Sequence, residues 1–191
     1  FSSRRYTADY HIEQFGKMAR ALSGYTEQCV VSFIDLYEKT KRNFQGVLPV
    51  TKKEQEKIID SFSEIAKEWG LQIHLCCESA ELVRENVDAD GCMSKAVLEK
   101  ALGCRLNAPK KKTARSECSC LLGADIGAYN TCLHGCLYCY ANYDRDTVLN
   151  NSRLHNPASP LLIGEVSEED VIRQAEQKSW KDGQLDFFDL L

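Results

Sequence analysis

The sequence has no apolar run near the roughly 20 residues that a bilayer-spanning helix needs. It also lacks the basic and then apolar opening of a signal peptide. These absences argue against a membrane protein or an exported one and point to the cytoplasm. Positive charge is not in excess: 24 Lys and Arg face 28 Asp and Glu, for a net charge of −4. No global field therefore draws the chain to nucleic acid. Internal repeats and low-complexity runs are absent. There is no initiating Met, and Phe1–Tyr6 leads directly into a helix pattern, which reads as a piece of a longer chain. What is present suits one ordinary domain: 191 residues, 43% hydrophobic and 27% charged.

Cysteine is plentiful, at 10 residues. In a small secreted protein that number would read as a disulfide framework. This chain is larger, has no export signal and contains clear helical segments. Its cysteines crowd toward the second half, so ligation of a metal or cluster in a reducing compartment is the better reading. Cys29 stands apart in a strand pattern and is expected to be a small buried hydrophobe.

The densest stretch is Cys132-Leu-His-Gly-Cys136-Leu-Tyr-Cys139, with the spacing C-x3-C-x2-C. Iron–sulfur clusters usually take four cysteines. A three-cysteine loop leaves one iron open to a small molecule. The spacing resembles that of radical S-adenosylmethionine enzymes, and Tyr138 fills the aromatic place before the third cysteine. The resemblance implies a 4Fe-4S cluster on Cys132, Cys136 and Cys139, S-adenosylmethionine on the open iron and Tyr138 beside its adenine. It also implies a reductant such as ferredoxin or flavodoxin. A zinc knuckle or redox thiol cluster is the rival, although zinc sites more often read as paired C-x2-4-C units.

Upstream, the order is helix, strand, helix, strand. Thr7–Leu22 reads as a capped amphipathic helix ending near Gly24. Cys29–Ile34 and Leu71–Cys77 read as buried strands. Between them Thr51-Lys-Lys-Glu54 is a capping box opening a helix that Gly70 stops. This alternation predicts parallel strands with crossover helices, a TIM-barrel-like α/β arrangement. The connection from Asp35 to about Val50 is long for a βα loop. On a barrel it would lie on the catalytic rim, making Asp35, Tyr37, Lys39 and Arg42 candidate substrate or phosphate contacts. Read singly, each fits a solvated loop equally well. His74, inside the second strand, reads as a core histidine. Ser94–Leu102 is a short helix, and Pro109–Arg115 is a basic run that reads as a solvated loop or as a contact for an anionic partner.

Together, Cys76/Cys77-Glu78, Cys92, Cys118-x-Cys120 and Asp125-Ile-Gly-Ala-Tyr129-Asn-Thr-Cys132 through Ala141 resemble the domain-of-unknown-function 1848 family. Ser32–Lys39 and the closing Gln-Leu-Asp-Phe-Phe fit it as well, so the resemblance spans essentially the whole chain. It implies an iron–sulfur protein related to radical S-adenosylmethionine enzymes, normally with an additional amino-terminal half. It supplies no substrate. The triad also lies late in the chain, with no glycine-rich strand end after it, unlike most radical enzymes.

A second group, Cys118 and Cys120 with Cys92 and with Cys76 or Cys77, could converge on one centre, Cys76 being the better candidate for its place two residues before Glu78. That centre could be an auxiliary cluster or a structural zinc, or Cys118 or Cys120 could complete the first cluster. In the tail, Glu168 to about Trp180 reads as a weak helix after Ser167. Gln184-Leu185-Asp186-Phe187-Phe188 resembles a sliding-clamp docking peptide, or else packs on its own domain. The expected organisation is a barrel-like part at 1–78, a cysteine-rich iron–sulfur region at 79–143 and a carboxyl-terminal extension at 144–191. The rivals to an enzyme are a non-enzymatic iron–sulfur protein and a zinc module docking on a DNA-repair partner.

Overall fold

A computed structural model describes residues 1–43, 45–108, 117–121, 127–174, 176 and 178–182. Helix α1 is Ala8–Leu22, capped by Thr7, whose hydroxyl accepts the Tyr10 N–H at 3.2 Å. Strand β1 is Gln28–Val31, shorter than the expected Cys29–Ile34. Helix α2, Glu38–Asn43, occupies much of what reads as a long loop in the sequence. Its six residues carry no apolar stripe, so periodicity could not reveal it.

Helix α3 is Lys52–Glu68 and opens with the expected capping box. The Thr51 hydroxyl accepts the Glu54 N–H, and the Glu54 carboxylate accepts the Thr51 N–H at 3.0 Å. Gly70, at φ +67°, turns the chain out of the helix. The Leu71 N–H then closes on Ala66 O at 2.8 Å, as a glycine helix stop requires. Strand β2 is Gln72–Leu75, and β3 is the two-residue Val87–Asp88. Helix α4, Lys95–Leu102, runs from a Ser94 cap to Gly103.

The sheet is parallel and ordered β1-β2-β3, with Cys29 beside Ile73 and His74 beside both Val30 and Asp88. The expectation of parallel strands with intervening helices therefore holds in a mixed α/β fold. Helix α1 packs on α3, where Phe15 and Phe62 stack with ring centroids 3.9 Å apart. Ile59, Ile73 and Val87 are fully buried in this core. Burying such a side chain contributes about 1.5–3 kcal/mol. Cys29 is half-buried and packs against the same core.

Two interleaved units make up the chain. One comprises the described residues within Phe1–Ile34, Leu48–Gly123 and Lys178–Leu191 and contains the sheet. The other comprises those within Asp35–Val47 and Ala124–Gln177. The second unit contains α2 and helix α5, Arg145–Leu154, which Asp144 caps by accepting the Thr147 N–H at 2.7 Å. The periodicity of α5 is too weak to stand out in the sequence. The tail helix expected from Glu168 to Trp180 is corrected: its described residues are not helical. Asp170 instead accepts the Ser167 N–H at 2.7 Å, so the carboxylate that would support a helix start closes a local turn. Among the described residues no helix is long and apolar enough to cross a membrane.

Candidate functional site

The second unit holds the triad. Cys132, Cys136 and Cys139 line one cavity of about 170 Å³, together with Lys39, Asn142 and Arg145. The loop is shaped by backbone that favours glycine or asparagine. Gly135 lies at φ +71° and Asn130 at φ +58°. Asn130 accepts the Tyr143 N–H at 2.6 Å through its side chain, and its own N–H donates to Ala141 O at 3.0 Å. From α5, the Asn151 amide donates to Asn130 O at 3.0 Å. Asn142 donates through its side chain to Cys132 O at 2.6 Å and through its backbone to Cys139 Sγ at 3.3 Å. One residue thus ties the first cysteine to the third.

Two buried polar atoms at this cavity, Lys39 Nζ and Asn142 Oδ1, have no hydrogen-bond partner among the described residues. The Lys39 ammonium lies 4.9 Å from the centre of the Tyr143 ring, a cation–π distance. The cavity lining thus sets two cations, Lys39 and Arg145, beside the three thiols and one carboxylate, Asp144, which is engaged by the Thr147 N–H. Three soft sulfur donors, one backbone N–H aimed at a sulfur and a compensating cation fit an anionic iron–sulfur centre. Tyr138 is not among the residues lining the cavity. Its hydroxyl donates to Asp35 O at 2.8 Å, and its ring stacks on Tyr37 at 6.4 Å. Of the rim candidates, only Lys39 reaches the cavity.

The first unit holds the other thiols. Cys76 Sγ is 3.9 Å from Cys92 Sγ, which is 3.7 Å from Cys120 Sγ. Cys118 contacts both Cys120 and Cys77, and Cys77 contacts Cys76. Cys92, Cys118 and Cys120 are therefore brought together with both of the alternatives, Cys76 and Cys77. Cys104 is not in this chain of contacts. Cys77 adopts φ +57°, a left-handed conformation that costs a non-glycine residue about 1–2 kcal/mol.

Burial first, and the Cys92 thiol second, push the Cys76 thiol up to about 12. Burial, with the Cys120 thiol, raises Cys92. At Cys118 the Cys120 N–H pulls the thiol down, but burial and the Cys120 thiol outweigh it. At Cys120 burial is outweighed by the Met93 and Cys92 N–H groups, so its thiol is lowered. Among the described residues, no three or more His, Cys, Asp or Glu side chains already surround a common ion position.

His74 is buried in β2, and its Nδ1 lies 2.7 Å from Asp88 Oδ1. Its Nε2 has no partner among the described residues. Glu78, which follows the paired cysteines, accepts the Phe33 N–H at 2.6 Å and the Ser32 hydroxyl at 3.2 Å. It therefore pins the chain that leaves β1. The basic run at 110–115, Asp125 and the tail peptide 184–188 lie outside the described residues.

Sequence reasoning missed Asn142 and Asn130, because asparagine is common in loops and only the folded loop shows what each one bonds. A parallel α/β core and two separate cysteine groups define the class of this protein. The family described as Domain of unknown function (DUF1848) matches residues 1–141, and the chain belongs to that family. Comparison with curated proteins and with solved structures gives no match.

Proposed function

We propose that the chain is an iron–sulfur protein of radical S-adenosylmethionine type, acting on a substrate still to be identified, with its parallel strands belonging to a barrel-like β/α domain. The observation that carries this reading is the cavity lined by Cys132, Cys136, Cys139 and Lys39, whose ammonium has no hydrogen-bond partner among the described residues. The three thiols would hold a 4Fe-4S cluster and leave one iron open. When bound, the cluster and S-adenosylmethionine supply a 5′-deoxyadenosyl radical for hydrogen abstraction, which is cofactor chemistry. Asn142 holds the loop closed and donates to Cys139. Lys39 balances negative charge, either of the cluster or of the cofactor carboxylate.

Anaerobic reconstitution with iron and sulfide tests the reading, followed by reduction with S-adenosylmethionine present and assay for 5′-deoxyadenosine. The expected outcome is about four irons and four sulfides per triad and S-adenosylmethionine cleavage. A Lys39→Met variant should keep the iron but need at least about tenfold more S-adenosylmethionine, as expected for loss of a charged contact. Failure to take up sulfide overturns the cluster. A loaded cluster without 5′-deoxyadenosine leaves an electron-transfer protein and removes the enzyme reading.

A further inference from the structure

We propose that Cys76, Cys92, Cys118 and Cys120 form a site for a single zinc ion, separate in kind from the triad. Four thiolates around one ion at a zinc–sulfur distance of about 2.3 Å stand about 3.8 Å apart along the edges of a tetrahedron. The two sulfur–sulfur distances on Cys92 are 3.9 Å and 3.7 Å. In a four-iron cluster each cysteine binds a different iron, so its sulfurs stand well beyond contact. The two contacts on Cys92 have the spacing of ligands around one ion.

The backbone closes around two of these sulfurs. N–H groups of Met93 and Cys92 lie on Cys120 Sγ, and the Cys120 N–H lies on Cys118 Sγ. Gly91 lies at φ +75°, and a Cβ there would meet Ser119 Oγ at 3.2 Å and Cys120 Sγ at 3.3 Å. The chain is thus drawn in beside Cys120 where only a glycine leaves room. Ser119 donates to Asp90 O and to Ala89 O at 3.2 Å, and the Leu121 N–H donates to Met93 O at 2.8 Å. These bonds fix Cys118-Ser-Cys120 against the loop that carries Cys92.

Cys76 is assigned as the ligand because its sulfur lies 3.9 Å from Cys92 Sγ. Cys77 reaches the group through Cys76 and Cys118 and is assigned as the neighbour that packs the site. The thiols now form a string of contacts, not a finished tetrahedron. Zinc would draw four of them onto one centre by side-chain rotation, releasing four protons and changing no oxidation state. Four protein ligands leave no open position, so the site is structural. It would join the end of β2, the loop after β3 and the segment at 117–121.

The test uses a Cys132→Ser/Cys136→Ser/Cys139→Ser variant of the whole chain, which removes the triad's donors. It is purified anaerobically with reductant from medium containing both iron and zinc, and its metal and sulfide are measured. Cobalt(II) then replaces zinc as a spectroscopic probe. The expected result is one zinc per chain, no sulfide, and an intense tetrahedral cobalt–thiolate spectrum. Adding Cys92→Ser or Cys118→Ser should lower bound zinc at least about tenfold, whereas adding Cys77→Ser should leave it unchanged. Should a serine variant fail to fold, cobalt titration of the triad variant alone still decides by stoichiometry and coordination. Iron at this site, absence of metal, or loss of zinc in the Cys77→Ser variant overturns the proposal.

Discussion

The two cysteine groups contain the same donor atom in opposite settings. Cys132, Cys136 and Cys139 are three thiols on a cavity wall, two of them exposed, beside an ammonium with no hydrogen-bond partner among the described residues. Cys76, Cys77, Cys92, Cys118 and Cys120 lie in sulfur–sulfur contact, with backbone N–H groups turned toward them. On the two proposals above, the first group would leave one cluster position open, as a reactive centre needs, and the second offers one thiol more than a four-ligand structural zinc uses. Donor count and surroundings, more than residue type, separate the two.

The largest effect expected from this contrast is on stability. Cys92→Ser, or removal of metal by a chelator, should lower Tm on the order of 10 °C, because each kcal/mol shifts a domain of this size by about 2–4 °C. Cys136→Ser should abolish iron uptake and leave Tm nearly unchanged. Calorimetry of both variants beside metal analysis checks this, and equal losses of stability would erase the distinction.

Two glycines sharpen the comparison further. Gly91 and Gly135 both lie at positive φ, yet a Cβ at Gly135 meets nothing within 4 Å, whereas at Gly91 it meets Ser119 and Cys120. Gly91→Ala should cost about 2–3 kcal/mol from strain and crowding together, and Gly135→Ala about 1 kcal/mol from backbone strain alone. Urea unfolding of the two variants gives the difference. Only Gly91→Ala should also weaken zinc retention.

The smallest effect concerns acid. Burial works to raise the Asp88 carboxyl, but hydrogen bonds from His74, the Asp90 N–H and Gln72 outweigh it and hold the group below its usual range. A carboxylate depressed in the folded state contributes stability above its unfolded value of about 3.9. That contribution is lost as pH falls through the folded value. Asp88→Asn should therefore flatten the decline of the urea midpoint below about pH 4. Unchanged steepness would assign the acid limb to other groups.

Much of the first unit was legible. Thr51 with Glu54, Thr7 and Ser94 marked helix starts that the fold uses, because capping is a local interaction. Apolar spacing marked the buried faces of α1 and α3. Strand ends were less legible: β2 stops at Leu75 because Cys77 turns left-handed, which a cysteine's identity does not announce. Helices α2 and α5 were missed for want of an apolar stripe. The tail helix after Ser167 was expected from a cap that closes only a turn.

The sequence by itself determined the parallel α/β class, the family and the two sets of cysteines, since spacing, periodicity and capping act over a few residues. Tertiary structure decided which distant groups share a place. It brought Lys39 to the triad's cavity, tied that loop with Asn130 and Asn142, and drew both Cys76 and Cys77 into the second group. It also interleaved the two units along the chain. These outcomes depend on contacts between residues far apart in sequence, where loop closure and packing, not local preference, choose the partner.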